Sequence, residues 1–255
     1  MESAPTDRIK LHMCRAQVAS GVFSVLMPRP SSPYRFATRT HDDTWTIVTD
    51  EPGAWFVARL VWATAYQRRA RTLVLVDGVS LRPDPSDGAR SLPIVVVNEE
   101  LDVPTAEDCE QLSAQLPLDS PAPGSLRLIT HGLDRALADP KHYLAEWRAE
   151  TEGQGSRHRH RFALVGGVLL FAAPPAVLRR WSFDAARMVA GLEGEGSGAD
   201  RTGSAQLQVI PDVWADRSDA PSGDVVSEPA GDVLVEPTEP TRRVLWQAPT
   251  AVPGT

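Results

Sequence analysis

Three acidic side chains follow two predicted strands at the points where those strands end. Asp50 and Glu51 follow the strand "TIVT", and Asp77 follows the strand "LVLV". A helical pattern lies between them, and a strand–helix–strand connection usually places both strands in one sheet, parallel to each other. Because hard cations bind clustered carboxylate oxygens, the sequence predicts a divalent metal site at Asp50, Glu51 and Asp77. The alternative is that these acids only end strands and start helices.

A second group of polar side chains ends two later strands. Asn98 ends the strand "IVVVN" and Glu99 follows it, and His131 follows the strand "LRLIT". His131 is a candidate general base, because imidazole titrates near neutral pH. As a single histidine in a turn, it equally fits a hydrogen-bonded loop residue.

The segment after Asp77 decides how these strand ends are grouped. Residues 78–91 contain several turn-forming pairs and no helical pattern. Parallel neighbours normally need a crossover that contains a helix, so we expect the next strand to run antiparallel to the one before Asp77. The strand ends are then expected as two pairs at opposite edges of the sheet, Asp50 with Asp77 and Asn98 with His131.

The glycine motifs that bind nucleotides are missing from the sequence. Neither Gly-x-Gly-x-x-Gly after a strand nor Gly-x-x-x-x-Gly-Lys-Ser/Thr occurs, and there is no Gly-x-Ser-x-Gly elbow. We therefore expect no nucleotide cofactor, which leaves a divalent metal as the possible cofactor. The sequence leaves open whether the protein is an enzyme.

Charge is distributed unevenly along the 255 residues. Residues 1–190 carry 22 acidic and 22 basic side chains, whereas residues 191–255 carry 11 acidic and 4 basic ones, so the net charge of −7 lies in the last quarter. A neutral body and an acidic tail argue against nucleic-acid binding. The tail is rich in Gly and Pro, which predicts disorder, and Trp214 and Trp246 stand out in it as partner-docking residues.

One uncharged stretch raises the alternative of a membrane span. Residues 162–178 contain no charge, but they include Gly166-Gly167 and Pro174-Pro175. Two strands joined by a tight turn at the glycines, followed by a helix that starts near Pro175, explain these residues better than a span does. Cys14 and Cys109 cannot form a disulfide framework, and acids precede the first base, which together favour the cytoplasm over secretion.

The order of strands and helices predicts an α/β fold. We expect a Rossmann-like three-layer open sheet, mostly parallel, with at least one antiparallel pair or hairpin and a disordered acidic C-terminal tail. The expected division is an N-terminal segment 1–43 of unassigned structure, an α/β domain 44–190 and a tail 191–255.

Three functions are compatible with these patterns. The first is a cytoplasmic interaction or regulatory module whose tail docks on an unidentified protein partner. The second is a metal-dependent hydrolase or phosphoryl-transfer enzyme that uses Asp50, Asp77 and His131. The third is a single-pass membrane-attached protein, held through residues 162–178.

Overall fold

The computed structural model describes residues 8–29, 31–41, 44–78, 80–118, 124–152, 161–190, 205–209 and 242–246. The strands in these residues are β1 Arg8–Val18, β2 Gly21–Met27, β3 Phe36–His41, β4 Thr44–Thr49, β5 Thr72–Val76, β6 Ile94–Asn98, β7 Gly124–Ile129, β8 Arg161–Val165, β9 Val168–Ala173, β10 Ala205–Val209 and β11 Arg242–Trp246. The helices are α1 Glu51–Ala65, α2 Ala106–Ala114, α3 His131–Ala138, α4 Pro140–Thr151 and α5 Pro175–Val189.

The strands form two sheets, one of seven strands and one of four. The larger has the order β7-β1-β2-β5-β6-β9-β8, and the smaller has the order β11-β10-β4-β3. In the larger sheet only β2–β5 and β6–β9 are parallel, and the other four neighbouring pairs are antiparallel. The α/β class is therefore confirmed, but the prediction of a mostly parallel sheet is wrong, and the Rossmann-like topology is not confirmed.

The antiparallel step after β5 is confirmed. In the register of β5 and β6, Val76 lies opposite Ile94 and Val74 opposite Val96. The described residues of the connection, 77–78 and 80–93, contain no helix, and the chain turns back beside the strand that it has just left.

The expected parallel pair on either side of α1 is wrong. β4 belongs to the four-stranded sheet and β5 to the seven-stranded sheet. The physical reason lies in the segment 1–43, to which the sequence assigned no structure. Its first two strands form an antiparallel hairpin, and β2 takes the parallel position beside β5 that β4 was expected to fill.

Helix α1 is enclosed by both sheets. The core that contains it includes Val74 and Val96 from the larger sheet, and Phe36 and Ile47 from the smaller one. From Phe56 to Ala65 all but one of its residues are buried, the exception being Arg59. A helix that is apolar on most of its sides needs apolar partners on several sides, and α1 finds them in both sheets and in α5, whose Ser182 hydroxyl donates to the carbonyl of Ala58 at 2.6 Å. Helix α2 packs on the other face of the larger sheet through Cys109 and Leu112.

The hairpin interpretation of residues 162–178 is confirmed. β8 and β9 pair antiparallel, with Val165 opposite Val168, and α5 begins at Pro175. Both turn glycines have positive φ, +54° at Gly166 and +82° at Gly167, which L-residues rarely adopt. No helix in the described part of the chain is long and apolar enough to cross a membrane.

Two strands come from the segment 191–255. β10 pairs parallel with β4, and β11 pairs antiparallel with β10. Trp246 is the last residue of β11, where it lies opposite Ala205. Trp214 lies outside the described residues, as does most of this segment, so its disorder stays a prediction.

Candidate functional site

The carboxylate of Asp50 caps a helix. Its Oδ1 accepts a hydrogen bond of 2.8 Å from the backbone N–H of Gly53, in the first turn of α1. Glu51, the first residue of that helix, is exposed. Capping satisfies a backbone donor at the helix start, which is the structural role that the alternative interpretation assigned to these acids.

Asp77 lies in a different environment, at the end of β5. Its side chain is buried, at 3% exposure, and within the described residues Oδ2 has no hydrogen-bond partner. Burial raises the pKa of Asp77 above its ordinary value, which favours the protonated carboxyl. The pKa of the Cys14 thiol is also raised, first by burial and then by the nearby charge of Asp77.

The second expected pair is not brought together. Because β6 is antiparallel to β5, Asn98 at the C-terminal end of β6 and Asp77 after the C-terminal end of β5 lie at opposite ends of these two strands. β7 runs in the same direction as β5, so His131, the first residue of α3, follows a strand that ends at the Asp77 edge. The pairing of Asn98 with His131 is therefore wrong. Its cause is the unforeseen hairpin β1–β2, which lies between β7 and β5; the antiparallel steps β7–β1 and β1–β2 cancel, so β7 keeps the direction of β5 rather than that of β6.

Asn98 uses both ends of its amide within the protein. Its Nδ2 donates to the carbonyl of Gln67 at 3.3 Å, and its Oδ1 accepts from the N–H of Glu100 at 3.0 Å. The bond to Gln67 joins the end of β6 to the segment that precedes β5, and the bond from Glu100 closes the turn after β6. A buried amide with both ends satisfied supports the fold.

The predicted metal site has no cluster of ligands in the described residues. No group of three His, Cys, Asp or Glu side chains there is arranged to hold a metal ion. Asp50 and Asp77 end strands of two different sheets, so the adjacent-strand geometry behind the prediction is not present. Metal binding by Asp50, Glu51 and Asp77 stays a prediction that metal titration tests.

A cleft of about 250 Å³ opens between the start of β1, the connection from β2 to β3 and the first half of α1. We call it the basic cleft. Four cationic residues line it: Arg8, Lys10, Arg29 and Arg59. No acidic residue is among the described residues that line it. Clustered charge of one sign in a concave surface attracts ligands of the opposite sign.

Aromatic rings form the apolar part of the basic cleft. Tyr34 and Phe56 stack with their ring centroids 4.3 Å apart. The guanidinium of Arg59 lies 5.7 Å from the centre of the Trp55 ring, and it reaches Asp134 at 3.6 Å. The cleft therefore combines positive charge with flat apolar surfaces.

Hydrogen bonds fix the turn that carries Arg29 and Tyr34. Nη1 of Arg35 donates to the carbonyl of Ser32 at 2.7 Å and to that of Tyr34 at 2.9 Å. The N–H of Ser32 donates to the carbonyl of Arg29 at 2.8 Å. This wall of the cleft is therefore held in place before any ligand arrives.

Two polar atoms in this turn are buried without a partner in the described structure. They are Nε of Arg29 and Oγ of Ser32. Nη2 of Arg29 donates to Oγ of Ser125 at 3.2 Å, which positions the guanidinium and leaves Nε unused. Buried polar groups are normally paired, so these two atoms are exceptions.

Sequence reasoning missed the basic cleft. Arg8, Lys10 and Arg29 lie in the segment 1–43, and the stretch around Tyr34 has the composition of a simple Pro/Ser-rich connector. The available signal was local: bases and an aromatic residue flank the connector, while the body as a whole is neutral. A net charge near zero for residues 1–190 gives no sign of a basic surface when the acidic side chains lie on other parts of the protein.

Comparison with protein-family models, with curated protein sequences and with solved structures found no match to this chain.

Proposed function

We propose that the protein is an interaction module that recognises an acidic partner through the basic cleft. The observation that carries the proposal is the lining of this cleft, where four cationic residues and three aromatic rings meet and no described lining residue is acidic. Guanidinium groups bind carboxylates and phosphates with charge-assisted hydrogen bonds.

The size of the cleft supports a peptide rather than a large cofactor. A volume of about 250 Å³ is below the range of roughly 300–1,000 Å³ that is typical of drug-sized ligands. It suits one or two side chains of a partner, with a carboxylate near Arg29 and an aromatic ring beside Trp55. We therefore propose an acidic segment that contains an aromatic residue as the ligand class.

The test is fluorescence anisotropy with a labelled peptide of Glu-Tyr repeats. Wild-type protein is expected to bind this peptide and to bind a Gln-Tyr peptide far less. Arg29→Gln is expected to weaken binding about tenfold, since hydrogen bonds to charged groups contribute roughly 1.5–3 kcal/mol. Binding should also fall as the salt concentration rises.

Arg68→Gln is the matched control for this experiment. Arg68 is exposed and follows the C-terminal end of α1, whereas the cleft uses the N-terminal half of that helix. Its removal changes the net charge as Arg29→Gln does, without touching the cleft. Equal weakening by the two variants would mean that non-specific charge attraction accounts for the binding, which would overturn the proposal.

The acidic tail is a further part of the proposed interaction function in the cytoplasm. Its net charge of −7 and its two tryptophans support docking on a protein partner. Trp246→Ala is expected to lower the melting temperature, because Trp246 belongs to a strand that extends the smaller sheet. Trp214→Ala is expected to weaken partner binding and to leave the melting temperature unchanged. A large loss of stability in this variant would contradict a docking role.

A further inference from the structure

A larger cleft, of about 660 Å³, lies beyond the strand ends of the seven-stranded sheet, on the side where β5 finishes and β6 and β9 begin. We call it the strand-edge cavity. Gly78 just after β5, Pro93 just before β6 and Gly167 just before β9 mark its position. Its volume is within the range of roughly 300–1,000 Å³ that is typical of small-molecule sites.

The walls of the strand-edge cavity are mainly apolar. Six leucine and proline residues line it: Leu81, Pro83, Leu92, Pro93, Leu116 and Pro117. The first four belong to the connection between β5 and β6, and the last two follow α2. An apolar ligand body placed between these two segments loses contact with water on both sides.

The wall formed by the β5–β6 connection is rigid, because it pairs with the smaller sheet. Phe36 donates to the carbonyl of Ser80 at 2.9 Å, and the N–H of Arg82 donates to the carbonyl of Phe36 at 2.7 Å. Oγ of Ser91 accepts from the N–H of Thr38 at 2.9 Å and donates to the carbonyl of Arg82 at 2.5 Å. A site that is formed in advance binds with a smaller entropic cost.

Two arginines are the charged residues among the described lining of the strand-edge cavity. Arg82 and Arg90 line it, and neither makes an ion pair with a carboxylate in the described residues. The nearest buried acid of the same connection, Asp84, is already bound by Arg39 at 2.6 and 3.0 Å. The positive charge of Arg82 and Arg90 is therefore available to a ligand.

Helix α2 sets the orientation of an anion in the strand-edge cavity. The C-terminal end of the helix, at Ser113, lines the cavity on a segment of the chain separate from that of the arginines. The carbonyl groups at a helix C-terminus carry partial negative charge and disfavour anions. A ligand's anionic end is thus directed to Arg82 and Arg90, and its apolar body to Leu116 and Pro117.

We propose that the strand-edge cavity binds a small amphipathic carboxylate, with the carboxylate on Arg82 and Arg90 and the hydrocarbon against the leucines and prolines. This site is separate from the basic cleft. Its walls are mainly apolar, and its volume has room for a whole small molecule.

Isothermal titration calorimetry of the full chain with dodecanoate tests the proposal, with dodecanol as the uncharged comparison. Wild-type protein is expected to bind dodecanoate more tightly than dodecanol. The double variant R82Q/R90Q is expected to weaken dodecanoate binding about tenfold or more and to leave dodecanol binding unchanged. Arg29→Gln, in the basic cleft, is expected to change neither.

A second variant blocks the strand-edge cavity itself. A Cβ atom added at Gly78 would meet no atom within 4 Å, so Gly78→Leu has room to place its side chain in the cavity without a clash. It is expected to abolish binding of both ligands and to keep the wild-type melting temperature. Absence of dodecanoate binding to the wild type, or equal affinity in R82Q/R90Q, would overturn the proposal, even if Gly78→Leu failed to fold.

Discussion

One buried aspartate lies at the end of β5 and another in the connection that follows it. The pKa values of the two carboxyl groups are shifted in opposite directions. Asp77 is 3% exposed and its pKa is raised by burial. Asp84 is fully buried, and burial alone would raise its pKa as well, but hydrogen bonds from Arg39 and Ser86 bring the pKa below its ordinary value. The partners of a buried carboxylate, more than its depth, decide its charge.

The two sites also differ in what they do for the fold. Asp84 accepts two hydrogen bonds from Arg39 and two from Ser86, so it ties the β5–β6 connection to β3 and closes a local turn. Oδ2 of Asp77 has no hydrogen-bond partner in the described residues. An ionised Asp77 would therefore cost stability that an ionised Asp84 does not.

The largest expected effect comes from removing Asp84. Asp84→Ala leaves Arg39 without its carboxylate and is expected to lower the free energy of unfolding by about 3 kcal/mol. That value is at the lower end for a broken buried pair, because the Arg39 side chain is 25% exposed and gains water. Urea unfolding followed by circular dichroism measures the loss, with Asp87→Ala, an exposed aspartate of the same connection, as the control.

The reverse result is expected at the end of β5. Asp77→Asn keeps the size of the side chain and removes the ionisable group, so it is expected to raise the melting temperature at pH 7. The matched variant Asp84→Asn is expected to lower it, since it weakens the bond to Arg39. Destabilisation by both variants would contradict the contrast between the two sites.

The pH dependence of stability separates the two aspartates further. Because the pKa of Asp77 is raised in the folded protein, its carboxyl lowers stability as pH rises from the ordinary aspartate range through the folded pKa. The stability gained by Asp77→Asn at pH 7 is therefore expected to disappear near pH 4 and below. A lowered folded pKa acts in the opposite sense. The stabilisation from Asp84 is present above the ordinary range and is lost as pH falls through the folded pKa. Thermal unfolding from pH 3 to pH 8 measures both trends.

The smallest expected effect concerns metal binding at Asp50, Glu51 and Asp77. If these side chains hold a divalent cation, millimolar Mg²⁺ or Mn²⁺ raises the free energy of unfolding by mass action, by about 1.4 kcal/mol at ten times the dissociation constant, and the melting temperature rises with it. Asp77→Asn is then expected to remove this shift. No shift in the wild type, or a shift that Asp77→Asn leaves intact, would remove Asp77 from the list of metal ligands.

Several local features could be predicted because neighbouring residues fix them. Thr105 and Asp108 stand three positions apart, which is the spacing of a capping box, and they form one at the start of α2 with bonds of 3.1 and 2.9 Å. The sequence did not explain why Asp replaces the more usual Glu. The structure does, because Oδ1 of Asp108 also accepts from the N–H of Ser20 at 2.8 Å, across 88 positions of the chain.

The candidate site was harder to predict, because it depends on contacts between distant segments. Asp77 was singled out correctly as a buried strand end, yet its expected partner Asp50 belongs to the other sheet. The basic cleft joins Arg8, Arg29 and Arg59, which come from three separate elements. Local composition carries no information about which of these elements meet.

The sequence by itself determined the elements with strong local signals: α1, the β8–β9 hairpin, the start of α5 at Pro175 and the antiparallel return after Asp77. Hydrophobic period, turn residues and caps act over a few positions, and these elements depend on little else. Only the tertiary structure decided which sheet each strand joined and which charges met in the two clefts. The hairpin β1–β2 occupies the place beside β5, and the buried side of α1 packs against both sheets, so the positions of Asp50 and Asp77 follow from contacts between segments that are distant in the sequence.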